Sequence, residues 1–230
     1  MAREKQSNAA KIPVSVPIDG QSLPGDLGMP VDPHGIVVFA HGSGSSRHSP
    51  RNQFVARTLE RRQLATLLID LLTPEEEKID ERTAEYRFDI PMLAGRLVTI
   101  VDWLRRRKDT SSLPIGLFGA STGGGAALIA AADRPREIAA VVSRGGRPDL
   151  AGAALPKVTT PTLLIVGGFD TPVIVMNRDA MKQIRGEVKL EIVPGATHLF
   201  EERGTLERVA ELAGAWFERH LQPAAARVRA

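Results

Sequence analysis

The sequence predicts an α/β protein with a mainly parallel central sheet of about seven to eight strands, flanked by helices on both faces. Three observations point there. Short apolar runs without polar alternation, such as Gly35–Ala40 and Thr162–Gly167, read as strands buried on both sides. Helical periodicity fills the intervals: Leu93, Leu97, Ile100, Val101 and Leu104 share one face. A chain of 230 residues that is 43% hydrophobic and 25% charged can also bury one sizeable core.

Taken in order, Val14–Ile18 and Leu23–Leu27 are joined by Asp19-Gly20, a hairpin signal. Pro13, Pro17 and Pro24 assign both strands to a sheet edge. Gly35–Ala40 follows, then a helix opened by Ser49-Pro50 and running through Arg62. Ala65–Ile69 is the next strand, and a helix starts near Asp89–Pro91 and ends in the basic run Arg105–Lys108, read as a solvated C-terminus. Strands at Ile115–Gly119, Ile138–Ser143, Thr162–Gly167 and Lys189–Val193 alternate with helices at 121–132 and 172–184, and a last helix opens at Thr205. The short stretch between Ser143 and Thr160 leaves no room for a large cap domain.

Composition removes several functions. The formal charge of +3 is too slight, and the arginines too scattered, for a nucleic-acid partner. With no cysteine there is no disulfide, thiolate metal site or thiol nucleophile. The first residues lack a secretory apolar core, and no apolar run reaches the ~20 residues that span a bilayer. The expectation is a cytoplasmic protein with one domain over residues 12–221, flexible termini at 1–11 and 222–230, and no membrane partner.

Chemistry in such sheets collects at the carboxyl ends of the strands. There stands Gly119-Ala120-Ser121-Thr122-Gly123, a G-x-S-x-G between a strand and a helix. A serine on so tight a turn crowds the backbone two residues to either side, so Gly119 and Gly123 must be free of side chains. The turn presents Ser121 at the positive end of a helix, with the Thr122 amide aimed at a developing oxyanion. A phosphate cradle is the rival reading. It would need a Lys-Ser/Thr pair where Ala126-Ala127 stands, or an acidic residue at the end of the next strand, which instead closes Ser143-Arg144.

A serine hydroxyl needs a base. Of five histidines, His198 follows the last strand at a carboxyl end; His41 and His48 lie in the loop after Gly35–Ala40, while His34 and His220 sit elsewhere. Asp170 follows the strand Thr162–Gly167 and is the candidate orienting acid, with helix capping as its alternative role. Asp149 and Asp70 are further candidates.

Ser121, Asp170 and His198 run nucleophile, acid, base, each after a separate strand. In this order the sequence resembles the α/β-hydrolase superfamily over nearly all of residues 12–221. His41-Gly42-Ser43 resembles the superfamily's H-G-x segment, which implies that the Ser43 amide completes the oxyanion hole. Gly167-Gly-Phe-Asp170 and Gly195-Ala-Thr-His198-Leu-Phe200 are similar to the dienelactone-hydrolase-like branch. Two departures stand out: the branch's lactone hydrolases carry a cysteine nucleophile where this chain has Ser121, and place an arginine where it has Glu202.

The resemblance implies hydrolysis of a small carboxylic ester, thioester or lactone through an acyl-enzyme, with water and an acyl substrate as partners and no metal or organic cofactor. A non-catalytic binding protein, or a transacylase or perhydrolase using the same triad, are the alternatives. Arg47, Arg51 and Arg144 lie at strand-end loops and are candidates for binding a substrate carboxylate. Thr73–Phe88, with Glu75–Glu77, reads as an exposed polar loop or as one able to fold over the entrance.

Overall fold

The computed structural model describes residues 9–222. Its centre is one eight-stranded sheet in the order β1-β2-β4-β3-β5-β6-β7-β8. β1 (Ala10–Ile18) and β2 (Gln21–Met29) form an antiparallel hairpin. Asp19 and Gly20 turn it with φ of 44° and 77°, the doubly positive turn that suits the twist of paired strands. β3 (Gly35–Ala40), β4 (Leu64–Ile69), β5 (Ile115–Ala120), β6 (Ile138–Arg144), β7 (Thr162–Gly167) and β8 (Val188–Val193) are all parallel.

The buried strands distribute side chains alternately to two layers. Val37 and Phe39 of β3 join one cluster with α1 (Pro50–Glu60) and α6 (Thr205–His220). Ile36, Val38 and Ala40 join the other, with α3 (Ile90–Arg106), α4 (Thr122–Asp133) and α5 (Thr171–Met181). This period of two explains why β3 lacks a polar face. The aromatic pair Phe39–Phe118, with centroids 4.9 Å apart, ties neighbouring strands within the first layer.

The structure corrects four expectations. β2 is not an edge strand, because Gly25–Gly28 pair antiparallel with Thr66–Ile69 of β4. Pro24 sits just outside that register and offers its carbonyl to Asp70 N–H at 3.0 Å. β1 begins at Ala10, within the stretch expected to be flexible; the expectation for residues 1–8 and 223–230 lies outside the described residues. Thr73–Phe88 contains a helix, α2 (Pro74–Thr83), opened by a capping box between Thr73 and Glu76. Arg105 is no freely solvated cation: its guanidinium donates to the carbonyls of Ser111, Leu113 and Glu137. No helix among the described residues is long and apolar enough to cross a membrane.

Candidate active site

β5 delivers Ser121 into a turn that few residues adopt. Its φ of 51° and ψ of −121° lie outside the ordinary regions for a side-chain-bearing residue. Such strain costs about 1–3 kcal/mol and persists only where neighbours over-determine it. Here the neighbours are backbone groups: Ser121 N–H donates to Arg144 O at 3.2 Å, and Ser121 O accepts from Gly124 N–H at 2.9 Å and Arg147 N–H at 3.0 Å. The flanking glycines are required sterically. A Cβ on Gly119 would lie 2.6 Å from Gly123 O, and one on Gly123 only 2.2 Å from Ala40 O.

The loop after β3 closes over this turn, so near that a Cβ on Gly42 would lie 3.0 Å from Ser121 Cβ. Ser43 N–H donates to Thr122 Oγ1 at 2.9 Å, which ties together the two residues expected to supply oxyanion amides. That hydroxyl link has no local sequence signal, since the partners lie 79 positions apart.

His41 faces elsewhere. Its Nε2 accepts from Leu71 N–H at 3.1 Å and its Nδ1 lies 3.0 Å from Gly42 O, so the ring braces this loop against the end of β4. Burial pushes its pKa below the usual 6.5, with the Gly42 carbonyl and Asp70 acting in the opposite direction.

Asp170 and His198 meet because two backbones do. A Cβ on Gly167 would fall 2.5 Å from both Ala196 O and Thr197 O, and Phe169 N–H donates to Ala196 O at 2.9 Å. Asp170 occupies the N-cap position of α5, yet its side chain makes no cap bond. The carboxylate turns instead to His198, with Oδ2 at 2.6 Å from Nδ1. An ionised carboxylate only accepts, so Nδ1–H is the donor in this contact. Glu202, standing where the resemblance implied an arginine, braces the histidine loop through Thr197 Oγ1 at 2.6 Å and Thr197 N–H at 3.1 Å. Gly145, at φ 52°, packs against the histidine loop; a Cβ there would lie 3.2 Å from His198 O and 3.4 Å from His198 Cε1.

Ser121, His198, Ser43, Arg51 and Arg144 line one cavity of about 230 Å³. The other candidate groups are engaged elsewhere. Arg47 pairs with Asp70, its backbone N–H also donating to that carboxylate, and does not line the cavity. Asp149 is held by Arg147 at 2.7 and 2.8 Å. α2 lies beside the Gly42–Ser45 loop, where Glu77, Asp80 and Arg87 border a separate crevice, and none of Thr73–Phe88 lines the Ser121 cavity.

The dienelactone hydrolase family profile matches residues 34–222. A solved dienelactone hydrolase from Anabaena variabilis ATCC 29413 is 59% identical, with a TM-score of 0.92 over 93% of this chain and 99% of that one. Est1E from Butyrivibrio proteoclasticus, at 19% identity, shares the fold with a TM-score of 0.75 over 90% of this chain and 98% of its own. Two Mycobacterium tuberculosis proteins, from strains CDC 1551 / Oshkosh and ATCC 25618 / H37Rv, are each 60% identical over 197 residues and carry a provisional phosphoribosyl transferase name. The match takes in 86% of this chain and 44% of theirs, so the chain spans less than half the length of those relatives. An eight-stranded α/β-hydrolase sheet, the matched profile and the Anabaena structure converge on one assignment: the chain belongs to the dienelactone hydrolase family.

Proposed function

We propose that the protein is a serine hydrolase that cleaves a small carboxylic ester, thioester or lactone through an acyl-enzyme. The observation that carries this reading is the Asp170 carboxylate, which leaves its helix uncapped and binds His198 at 2.6 Å. The same imidazole shares a cavity with Ser121.

In this mechanism His198 Nε2 takes the Ser121 hydroxyl proton as Oγ attacks the carbonyl carbon. Asp170 holds the imidazole in the required tautomer and stabilises the imidazolium that forms. The amides of Thr122 and Ser43 receive the oxyanion, each donor contributing on the order of 10²–10³ in rate. Collapse of the tetrahedral intermediate expels the alcohol or thiol, which takes the proton from His198. Water then attacks the acyl-enzyme with His198 again as base, releasing the acid and restoring Ser121. The cavity of about 230 Å³ suits a small acyl group.

Phosphoribosyl transfer is named for chains of which this one spans less than half. The Asp170–His198 pair beside a strained serine favours acyl chemistry here. The test is fluorophosphonate labelling together with turnover of p-nitrophenyl butyrate. Wild type is labelled and active, and Ser121→Ala loses both while keeping its melting temperature. Retained turnover in a folded Ser121→Ala protein removes Ser121 from the mechanism.

A further inference from the structure

α5 buries Val173, Asn177 and Ala180, spaced i, i+4 and i+7 on one face. The middle of such a stripe calls for a leucine or isoleucine, and asparagine is a weak helix former. Asn177 is nevertheless wholly enclosed. Its Nδ2 donates to Gly146 O at 3.0 Å and to Val173 O at 2.8 Å. Both neighbours are carbonyls that only accept, so the amide nitrogen faces them with its two hydrogens. The opposite atom, Oδ1, is enclosed and meets no donor among the described residues. Burying an unanswered acceptor costs stability, so packing alone does not account for an asparagine here.

Gly146 O belongs to the same peptide group as Arg147 N–H, and that N–H donates to Ser121 O at 3.0 Å. Ser121 O in turn shares a peptide group with Thr122 N–H, the amide read above as an oxyanion donor. A line of hydrogen bonds therefore runs from Asn177 Nδ2 through the Gly146–Arg147 peptide to the Ser121–Thr122 peptide. A peptide whose carbonyl accepts a hydrogen bond becomes a stronger donor at its nitrogen, because resonance joins the two ends. Gly146 has no side chain to hold its peptide in place, and a Cβ there would fall 1.8 Å from Ser143 Oγ. The orientation of that peptide rests on its hydrogen bonds, one of which Asn177 supplies. The other amide hydrogen of Asn177, on Val173 O, ties the same side chain to the first turn of the helix that Asp170 heads.

We propose that Asn177 is a positioning residue for the oxyanion: its amide orients and polarises the Gly146–Arg147 and Ser121–Thr122 peptides, making Thr122 N–H a stronger and better-aimed donor. It acts through two peptide groups rather than by touching the substrate. The same amide holds α5, and with it Asp170, against the nucleophile turn. The oxyanion role of Thr122 rests on the hydrolase reading; the line of hydrogen bonds from Asn177 does not. An oxyanion donor contributes on the order of 10²–10³ in rate, and a cooperative bond strengthens its neighbour by about 10–30%. Losing that share of the donor's effect costs about two- to eightfold in rate.

The experiment joins kinetics to amide proton shifts. Asn177→Leu keeps a similar volume and removes both donors. Asn177→Thr keeps the contact with Val173 O, since a threonine hydroxyl bonds the i−4 carbonyl, and loses the one with Gly146 O. In both variants kcat for p-nitrophenyl butyrate is expected to fall about two- to eightfold with KM near that of wild type, as for an interaction realised in the transition state. In isotope-labelled, ligand-free protein the Arg147 and Thr122 amide protons are expected to move upfield, Arg147 by more, as the bonds along the line weaken.

A residue that only packs would change the melting temperature and leave kcat per folded molecule and both shifts at their wild-type values. Wild-type kcat in both folded variants, or a lowered kcat with unmoved shifts, overturns the relay and leaves the hydrolase reading intact. Moved shifts in a protein whose wild type turns over no ester do the reverse: the line of hydrogen bonds stands and the hydrolase reading falls. Should Asn177→Leu fail to fold, Asn177→Thr carries both measurements: a lowered kcat with moved shifts supports the relay, and wild-type behaviour in both overturns it.

Discussion

Nδ1 of His198 lies 2.6 Å from Oδ2 of Asp170, and that carboxylate makes no bond to the helix it heads. The two possible roles of Asp170, capping α5 or orienting an imidazole, are therefore separable by mutation. Asn caps helices as well as Asp does, so Asp170→Asn should leave folding intact. Its amide can donate to Nδ1, which favours the tautomer with the proton on the wrong nitrogen. The expected result is a fall in kcat of about 10⁴ with a melting temperature near that of wild type. A variant that keeps most of its p-nitrophenyl butyrate turnover would show that His198 needs no orienting acid.

The strained turn at Ser121 sets opposite outcomes for two glycine substitutions. A Cβ on Gly123 would meet Ala40 O at 2.2 Å and His41 O at 2.6 Å, both backbone atoms that cannot swing aside. Gly123→Ala should destabilise by about 1–3 kcal/mol or more and displace the loop that carries Ser43. Gly95 sits on the exposed side of α3, where a Cβ would have nothing within 4 Å. Gly95→Ala should stabilise by about 0.5–1 kcal/mol, because alanine loses less backbone entropy in a helix. Urea unfolding of both variants, read at constant m-value, checks the contrast.

The legible and illegible parts of this molecule divide by physical cause. The parallel sheet, the glycines around Ser121 and the order of Ser121, Asp170 and His198 follow from local rules: apolar runs, steric demand at a tight turn, and loops at strand ends. α2 escaped because Glu75, Glu76 and Glu77 give no apolar stripe; its signals were Pro74 and the Thr73–Glu76 capping box. β2 looked like an edge because prolines count against ladders, yet its pairing with β4 uses Gly25–Gly28 and leaves Pro24 out. Arg47, Arg51 and Arg144 were indistinguishable as strand-end arginines. Only tertiary packing gives Arg47 the Asp70 carboxylate and leaves Arg144 enclosed without one.

His41 predicts an acid-sensitive loop. Burial lowers its pKa from the usual 6.5, so the folded protein takes up this proton at lower pH than the unfolded chain does. The unfolded state binds more protons in the interval between the two values, and stability therefore falls as pH drops through it. Above the unfolded value the contribution is fully present. Protonation would also turn Nε2 from the acceptor of Leu71 N–H into a donor, breaking that 3.1 Å bond. His41→Asn should start less stable by about 1–3 kcal/mol, having lost a buried acceptor. It should also lose less stability than wild type between about pH 7 and about pH 5. Melting temperatures across that range read the difference in slope; parallel curves would mean that His41 does not titrate in this window.

Thr122 decides whether the Ser43 amide waits ready or stands blocked. In the resting site that amide donates to the neutral Thr122 hydroxyl at 2.9 Å. An oxyanion forming at Ser121 would offer the same N–H a charge-assisted bond roughly twice as strong, so the hydroxyl can yield or share it. Its value is to hold the loop after β3 in place before the charge develops, at no desolvation cost to the amide. Valine keeps the β-branched shape but offers no acceptor. Thr122→Val should therefore leave the amide unpaired, loosen the loop and lower kcat by about tenfold. KM should change little, as expected for an interaction realised only in the transition state. Thr122→Ser restores the acceptor and should recover most of the rate. An increase in kcat for Thr122→Val would identify the hydroxyl as a competitor of the oxyanion rather than its placeholder.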